Sequence, residues 1–255
     1  MMIRPKSVLL LKAQDSEDGP DKYEDILRAN AFEVNRVKTL VFNFKNLQKL
    51  AEKLANRDEY SGVIFSSPRC VQAVQLSSEI SNHLEQWKVK DNFVVGETTY
   101  KAALDKLAWN CTGGSAGNAK NLANDILKNK LKYSKPFLFP HGNLKSDTLN
   151  LELEKEGLQL DGVEVYETTP NPNIETDFAN VTSQFHSIPE YIVFFSPSGF
   201  NSSIDLIGRF ATDLNKLKFI ALGPVTELAI CDKNMLVYGT AKKPNPEELL
   251  KVILS

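Results

Sequence analysis

An excess of positive charge is what this chain most plainly lacks: 30 Lys and Arg stand against 32 Asp and Glu, a formal net charge of −2. Without a net cation there is little counterion release to drive binding, which excludes a protein that grips nucleic acid by bulk charge. Cysteine is scarce. Cys70, Cys111 and Cys231 are odd in number and scattered, which excludes a disulfide framework. Histidine is equally scarce (His83, His141, His186), and no Cys/His pair has metal-ligand spacing, so no zinc site is expected. The first apolar run, Val8–Leu11, ends at Lys12; it is too short for a signal sequence or a membrane span. The expected compartment is therefore the cytosol, which makes the sequons at Asn110, Asn180 and Asn201 incidental. There is no G-x-G-x-x-G after a strand and no G-x-S-x-G, and Gly113–Gly117 is not followed by Lys-Ser/Thr. Dinucleotide-binding, hydrolase-elbow and P-loop readings thus lack their residues.

What is present is an ordinary globular composition: 255 residues, 42% hydrophobic and 24% charged, enough for one large domain or two small ones. Short unbroken apolar runs recur at Val8–Leu11, Gly62–Phe65, Phe93–Val95, Phe137–Phe139, Tyr191–Phe195 and Phe219–Leu222. Runs of this kind are parallel strands covered on both faces. Amphipathic helical stretches follow most of them, which predicts an α/β fold with parallel sheets flanked by helices. Ser67-Pro68, Ser196-Pro197 and Asn245-Pro246 mark helix starts, each a capping side chain before Pro. Gly223-Pro224 and Gly19-Pro20 read as glycine-capped versions.

These landmarks repeat. "GVIFSSPRCV" resembles "YIVFFSPSGF", and "NFVVGETT" resembles "KFIALGPVT". Ser67 and Gly96 lie 29 residues apart, Ser196 and Gly223 27, and each glycine lies 22 residues before an asparagine, Asn118 or Asn245. Beyond Asn118 come a further strand and helix, whereas beyond Asn245 the chain ends. The counterparts are expected at the N-terminus, in Val8–Leu11 and Pro20–Asn30. Two similar domains follow: a discontinuous one of residues 1–37 and 171–255, and an inserted one of residues 40–167. The crossings are expected near 32–39 and 158–168, paired as a two-stranded β ladder, with a ligand cleft between the halves.

Ligands of parallel α/β sheets sit beyond the carboxyl ends of the strands. Those ends carry Ser66-Ser67-Pro68-Arg69, Gly96-Glu97-Thr98-Thr99, His141-Gly142-Asn143, Ser196-Pro197-Ser198-Gly199 and Gly223-Pro224-Val225-Thr226. Small, hydroxyl-bearing residues at helix N-termini make anion sites, so an acidic protein can still hold a polyanion. Lys145 and Lys218 are candidates to add charge. Cys70 is either activated by the helix start or buried and inert, and His141 either faces the cleft or lies at the surface. In "GVEVYET" the alternation puts Val163 and Val165 on one face and Tyr166 on the other. There Tyr166 is either a proton donor or a packed strand tyrosine.

The motifs "VLLLK", "GVIFSSPR", "VVGETT", "FPHGNLK", "GVEVYET", "FFSPSG", "ALGPVT" and "KPNPEELL", in this order and spacing along nearly the whole chain, resemble the uroporphyrinogen III synthase family, its animal branch most. The resemblance implies two α/β domains joined by a two-stranded ladder and a cyclising lyase of haem biosynthesis. It implies a substrate, hydroxymethylbilane, with eight carboxylates, and no metal or organic cofactor. The expected reaction is loss of water, inversion of the last ring through a spiro intermediate, and closure. By position, Tyr166 is the residue that assists hydroxide departure, and Ser67, Thr99, Ser196, Ser198 and Thr226 bind carboxylates; the strand-end residues Arg69, Gly142 and Asn143 and the cations Lys145 and Lys218 are expected as further substrate contacts. Some relatives have two threonines after Gly-Pro, whereas here Val225 stands first. A cytoplasmic monomer is expected, with no nucleic-acid or membrane partner. The alternative is a non-catalytic two-lobed binding protein for an anionic metabolite.

Overall fold

The unbroken apolar runs become strands with helices on both faces. The computed structural model describes residues 6–14, 21–80, 84–144, 146–187, 189–211, 214 and 217–255. It divides into two units, Met1–Val41 with Thr169–Ser255, and Phe42–Thr168. In chain order, the first unit opens with β1 (Ser7–Lys12), α1 (Lys22–Ala29) and β2 (Glu33–Lys38). Then follow β3 (Leu40–Phe44), α2 (Leu47–Ala55), β4 (Gly62–Phe65), α3 (Pro68–Ser78), β5 (Phe93–Val94), α4 (Glu97–Leu107), α5 (Ala119–Leu127), β6 (Phe137–Gly142), α6 (Thr148–Glu154) and β7 (Leu160–Pro170). The first unit resumes with α7 (Ile174–Val181), β8 (Tyr191–Phe194), α8 (Pro197–Phe210), β9 (Lys218–Leu222), α9 (Pro224–Cys231), β10 (Val237–Ala241) and α10 (Pro246–Leu254).

In the first unit the sheet order is β10-β9-β8-β1-β2, with parallel registers throughout. Alternate residues of one strand serve opposite cores. Leu9, Leu11, Ile192, Phe194, Phe219 and Ala221 meet Phe178, Phe200, Ile204 and Ile230 of α7, α8 and α9. Val8, Leu10, Val193 and Ile220 meet Leu27, Leu249 and Ile253 of α1 and α10. Each large side chain fully buried in this way stabilises the fold by about 1.5–3 kcal/mol.

The second unit's sheet runs β3-β7-β6-β4-β5, and Phe93 of β5 also bridges Thr112 in parallel. Val63, Phe65, Leu138 and Val163 pack on Leu50, Leu54, Val71, Val74, Trp87 and Trp109. Ile64, Phe93, Phe137 and Phe139 pack on Leu122, Ile126, Leu149 and Leu153 from the other face. The order Thr112-β5-β4-β6-β7 corresponds to β10-β9-β8-β1-β2, so both units use one wiring.

Three expectations need correction. Residues 32–39 and 158–168 do not pair with each other: β2 is in register with β1 and β7 with β6. The neighbour on β7's other side is β3, separated from β2 only by Thr39. Alternation reveals a buried face but not a hydrogen-bonding partner, which is why the sequence misplaced this ladder. Gly19-Pro20 lies outside the described residues, and the observed cap of α1 is Asp21, which accepts from Tyr23 N at 2.9 Å and Glu24 N at 3.4 Å. His141 is neither at the surface nor free: it is buried, its Nδ1 2.9 Å from the Gly142 carbonyl. Among the described residues, no helix is long and apolar enough to cross a membrane.

Candidate active site

The site is built at the carboxyl edge of the second unit, where β4 hands over to α3. Ser67 caps α3 with extended backbone (φ −158°, ψ 160°), yet its side chain makes no capping hydrogen bond. Its counterpart Ser196 has the same backbone (φ −159°, ψ 158°) and does cap, accepting from Gly199 N at 3.0 Å. The Ser67 hydroxyl instead lies 3.2 Å from the Tyr166 hydroxyl and 3.3 Å from Cys70 Sγ.

Tyr166 reaches Ser67 because β7 is irregular at that point. His141 is opposite Glu164, but Gly142 is opposite Tyr166, so Val165 is an extra residue in the ladder. A bulge of this kind re-aims the side chains beyond it. The Tyr166 ring packs against the same cluster that contains Val163 and Val165, which corrects the simple alternation expected from sequence. On one side, the Arg69 guanidinium lies 4.2 Å from the centre of the Phe42 ring and 5.9 Å from that of Tyr166. Phe42 and Tyr166 also meet edge to face, with centroids 6.5 Å apart. Burial and the neighbouring Cys70 push the Tyr166 phenol above its ordinary range, opposed in part by the Ser67 hydrogen bond and by Arg69. The phenol therefore keeps its proton. Cys70 is completely buried, and burial raises its thiol as well; of the two readings, the structure supports the inert one.

A pocket of about 230 Å3 opens beside Tyr166. Its apolar wall comes from Val95, Phe139 and Leu149, and its polar rim from Ser66, Ser67, Ser146 and Tyr166. It is smaller than the roughly 300–1,000 Å3 of pockets that enclose a whole drug-sized ligand.

The other expected site residues are placed as follows. Gly142 lines the pocket. Asn143 is tied to β7 in both directions: Nδ2 donates to Thr168 O at 3.2 Å and Oδ1 accepts from Thr168 N at 2.9 Å. Thr99 and Thr226 are buried, and each hydroxyl donates to the carbonyl four residues back, Val95 O at 3.1 Å and Leu222 O at 3.3 Å. In this structure neither offers its proton to a carboxylate. Gly96 and Gly223 precede these helices with φ of 86° and 96°, a conformation that favours glycine. In the first unit, the Ser196 and Ser198 hydroxyls lie 3.1 Å apart at the start of α8. Lys145 lies outside the described residues. Lys218 is a correction: it begins β9, at the amino edge of its sheet, and its Nζ is held by Glu190 at 2.7 Å and Tyr191 Oη at 3.3 Å. That edge is opposite the helix starts, so Lys218 does not join Ser196 and Ser198. Sequence reasoning missed Phe42, whose alternation with Phe44 was the available signal, and the apolar wall of the pocket.

A parallel α/β protein of two like units, with a half-buried tyrosine and a pocket at the carboxyl edge of one sheet, is the class these features define. The family model for uroporphyrinogen-III synthase HemD matches residues 21–251, and the chain belongs to that family. Its members are cyclising lyases of tetrapyrrole and haem biosynthesis acting on a small-molecule tetrapyrrole, and that is the activity the chain carries. The fold agrees with solved structures. The Helicobacter pylori uroporphyrinogen-III synthetase aligns with a TM-score of 0.61 at 15% identity, covering 98% of both chains. A mutant uroporphyrinogen III synthase from Thermus thermophilus aligns with a TM-score of 0.57 at 11% identity, covering 98% of this chain and 97% of that one.

Proposed function

We propose that the pocket beside Tyr166 receives the hydroxymethyl-bearing end of hydroxymethylbilane, and that the Tyr166 phenol donates to the departing hydroxyl. The observation that carries this reading is the aim of the phenol into a pocket of that size, with Ser67 at its oxygen and Arg69 over Phe42 beside it. The pyrrole nitrogen supplies the electron push, and the hydroxyl leaves as water with the phenol's proton. The electrophilic end is then attacked through the already substituted carbon, giving the spiro intermediate and, after rearrangement, the closed ring. The proton released as the last pyrrole regains aromaticity returns to the phenolate, so the net change is loss of one water.

A phenol held above its ordinary range is a weak acid but a steady hydrogen-bond donor. That suits a leaving group the substrate already expels readily, where a donor aimed at developing charge is what the protein can add. The Ser67 hydroxyl and the Arg69 cation oppose the cost of transient negative charge on the phenol oxygen. The remaining work is to hold the chain so that attack occurs at the substituted carbon. Carboxylates of the substrate are met by the helix starts, at Ser67 in one unit and at Ser196 and Ser198 in the other, and Asn143 and Lys145 serve as further carboxylate contacts. No metal or organic cofactor enters, and the chain works as a cytosolic monomer.

The experiment generates hydroxymethylbilane in place, adds the protein, oxidises the products and separates the isomers. Type III product above the spontaneous type I background is expected. Type I alone would leave a binding protein without turnover.

A further inference from the structure

We infer that Gly142 is a positioning residue for Tyr166, required for the space it leaves rather than for its backbone freedom. Gly142 is absent from the positive-φ glycines among the described residues, so its conformation is one that any residue adopts. Its surroundings are not so permissive. A Cβ added there would stand 2.5 Å from Tyr166 Cζ, 2.7 Å from Cε2 and 2.8 Å from the hydroxyl oxygen. Optimal carbon–carbon separation is about 3.5–4.0 Å, so the phenol end of the ring lies directly on the bare strand.

The strand has little room to retreat. Gly142 ends β6, which runs between β4 and β7. Its carbonyl is held at the His141 ring, and the next amide, Asn143 N, donates to Tyr166 O at 3.1 Å. A methyl group at 142 therefore displaces the ring, not the backbone. The displaced ring takes the phenol oxygen away from Ser67 Oγ, now at 3.2 Å. The bulge that brings Gly142 opposite Tyr166 and the missing side chain at 142 act together, one re-aiming the tyrosine and the other seating it. Gly142 serves the reaction through Tyr166 and needs no substrate contact of its own. This inference rests on the role proposed above for Tyr166.

The test is a double-mutant cycle on the full chain, with Gly142→Ala made alone and in the Tyr166→Phe background. The readouts are kcat, KM and the resonance of ring-labelled Tyr166, identified by its loss in Tyr166→Phe. The expected result is that Gly142→Ala shifts the Tyr166 resonance and lowers kcat by about the same factor as Tyr166→Phe. KM stays within about twofold, and adding Gly142→Ala to Tyr166→Phe lowers kcat less than about twofold further. Equal kcat losses in both backgrounds, or an unmoved resonance, would overturn the inference. If Tyr166→Phe alone leaves kcat unchanged, the proposed role of Tyr166 fails, and the resonance still decides whether Gly142 seats the ring. Should Gly142→Ala unfold the protein, it is made in a Tyr166→Val background: recovery of the Tm supports the steric coupling, and no recovery contradicts it.

Discussion

The Tyr166 hydroxyl lies 3.2 Å from the Ser67 hydroxyl, and this contact takes the place of the capping bond that Ser67 would otherwise make. Ser196, with almost the same backbone angles in the other unit, keeps its cap. The two units thus share one helix-start design, and in one of them the capping group has been redirected to a phenol.

That asymmetry separates stability from activity. Ser196→Ala removes the acceptor for Gly199 N and is expected to cost about 1 kcal/mol of stability, as for a lost N-cap. Ser67→Ala removes no cap bond and is expected to change stability by less while lowering kcat. Denaturant unfolding and steady-state kinetics on both variants check this. The reverse pattern would mean that Ser67 is the structural serine.

The pH profile follows from the phenol. Burial disfavours the phenolate, and the shift is upward, so the protonated donor persists through and beyond the ordinary tyrosine value of about 10. Loss of turnover from this group is expected only above that value, and none of it between pH 7 and 9. An alkaline limb inside that window that vanishes in Tyr166→Phe would contradict the upward shift.

The thiols should differ in reactivity. Cys70 is fully buried and raised, and Cys111 is buried and pushed up to about 12, whereas Cys231 is exposed. The thiolate is the reactive form. Alkylation of the native protein near pH 8, read by peptide mass, is expected to mark Cys231 and to reach the other two only after unfolding. Prompt modification of native Cys70 would remove the inert reading.

Much of this was legible because it is local. Unbroken runs such as Tyr191–Phe194 state directly that both faces are covered, and Ser-Pro and Asn-Pro pairs announce helix starts. The internal repeat carried the equivalence of Ser67 with Ser196. What was not legible depends on partners distant in sequence. β10 (Val237–Ala241) is an edge strand, only partly buried, and lacks an unbroken apolar run. The aim of Tyr166 depends on a bulge, which inserts a residue without leaving a signature in "GVEVYET". Lys218 reads as a free cation until the strand direction places it at the amino edge beside Glu190.

Asp21 gives a stability test at low pH. Burial alone would raise its carboxyl, but hydrogen bonds from Lys12 and the amides of Tyr23 and Glu24 outweigh that and hold it below its usual value. A carboxyl lowered in the folded state contributes stability above its unfolded value of about 3.9, and this is lost as pH falls through the folded value. Asp21→Ala is expected to cost about 0.5–2 kcal/mol at pH 7, as for a lost cap, and the gap to wild type should narrow on acidification below about pH 4. A gap that does not change with pH would mean that the ionised carboxylate contributes nothing.

The most direct test of the account is the rate of type III formation by Tyr166→Phe against wild type, with hydroxymethylbilane generated in place. Phenylalanine keeps the ring on Gly142 and removes only the donor. The account predicts a fall in kcat of about a hundredfold, the lower end for a positioned proton donor, with KM nearly unchanged. Equal kcat in the two proteins would contradict it and would leave Tyr166 as a packed strand tyrosine.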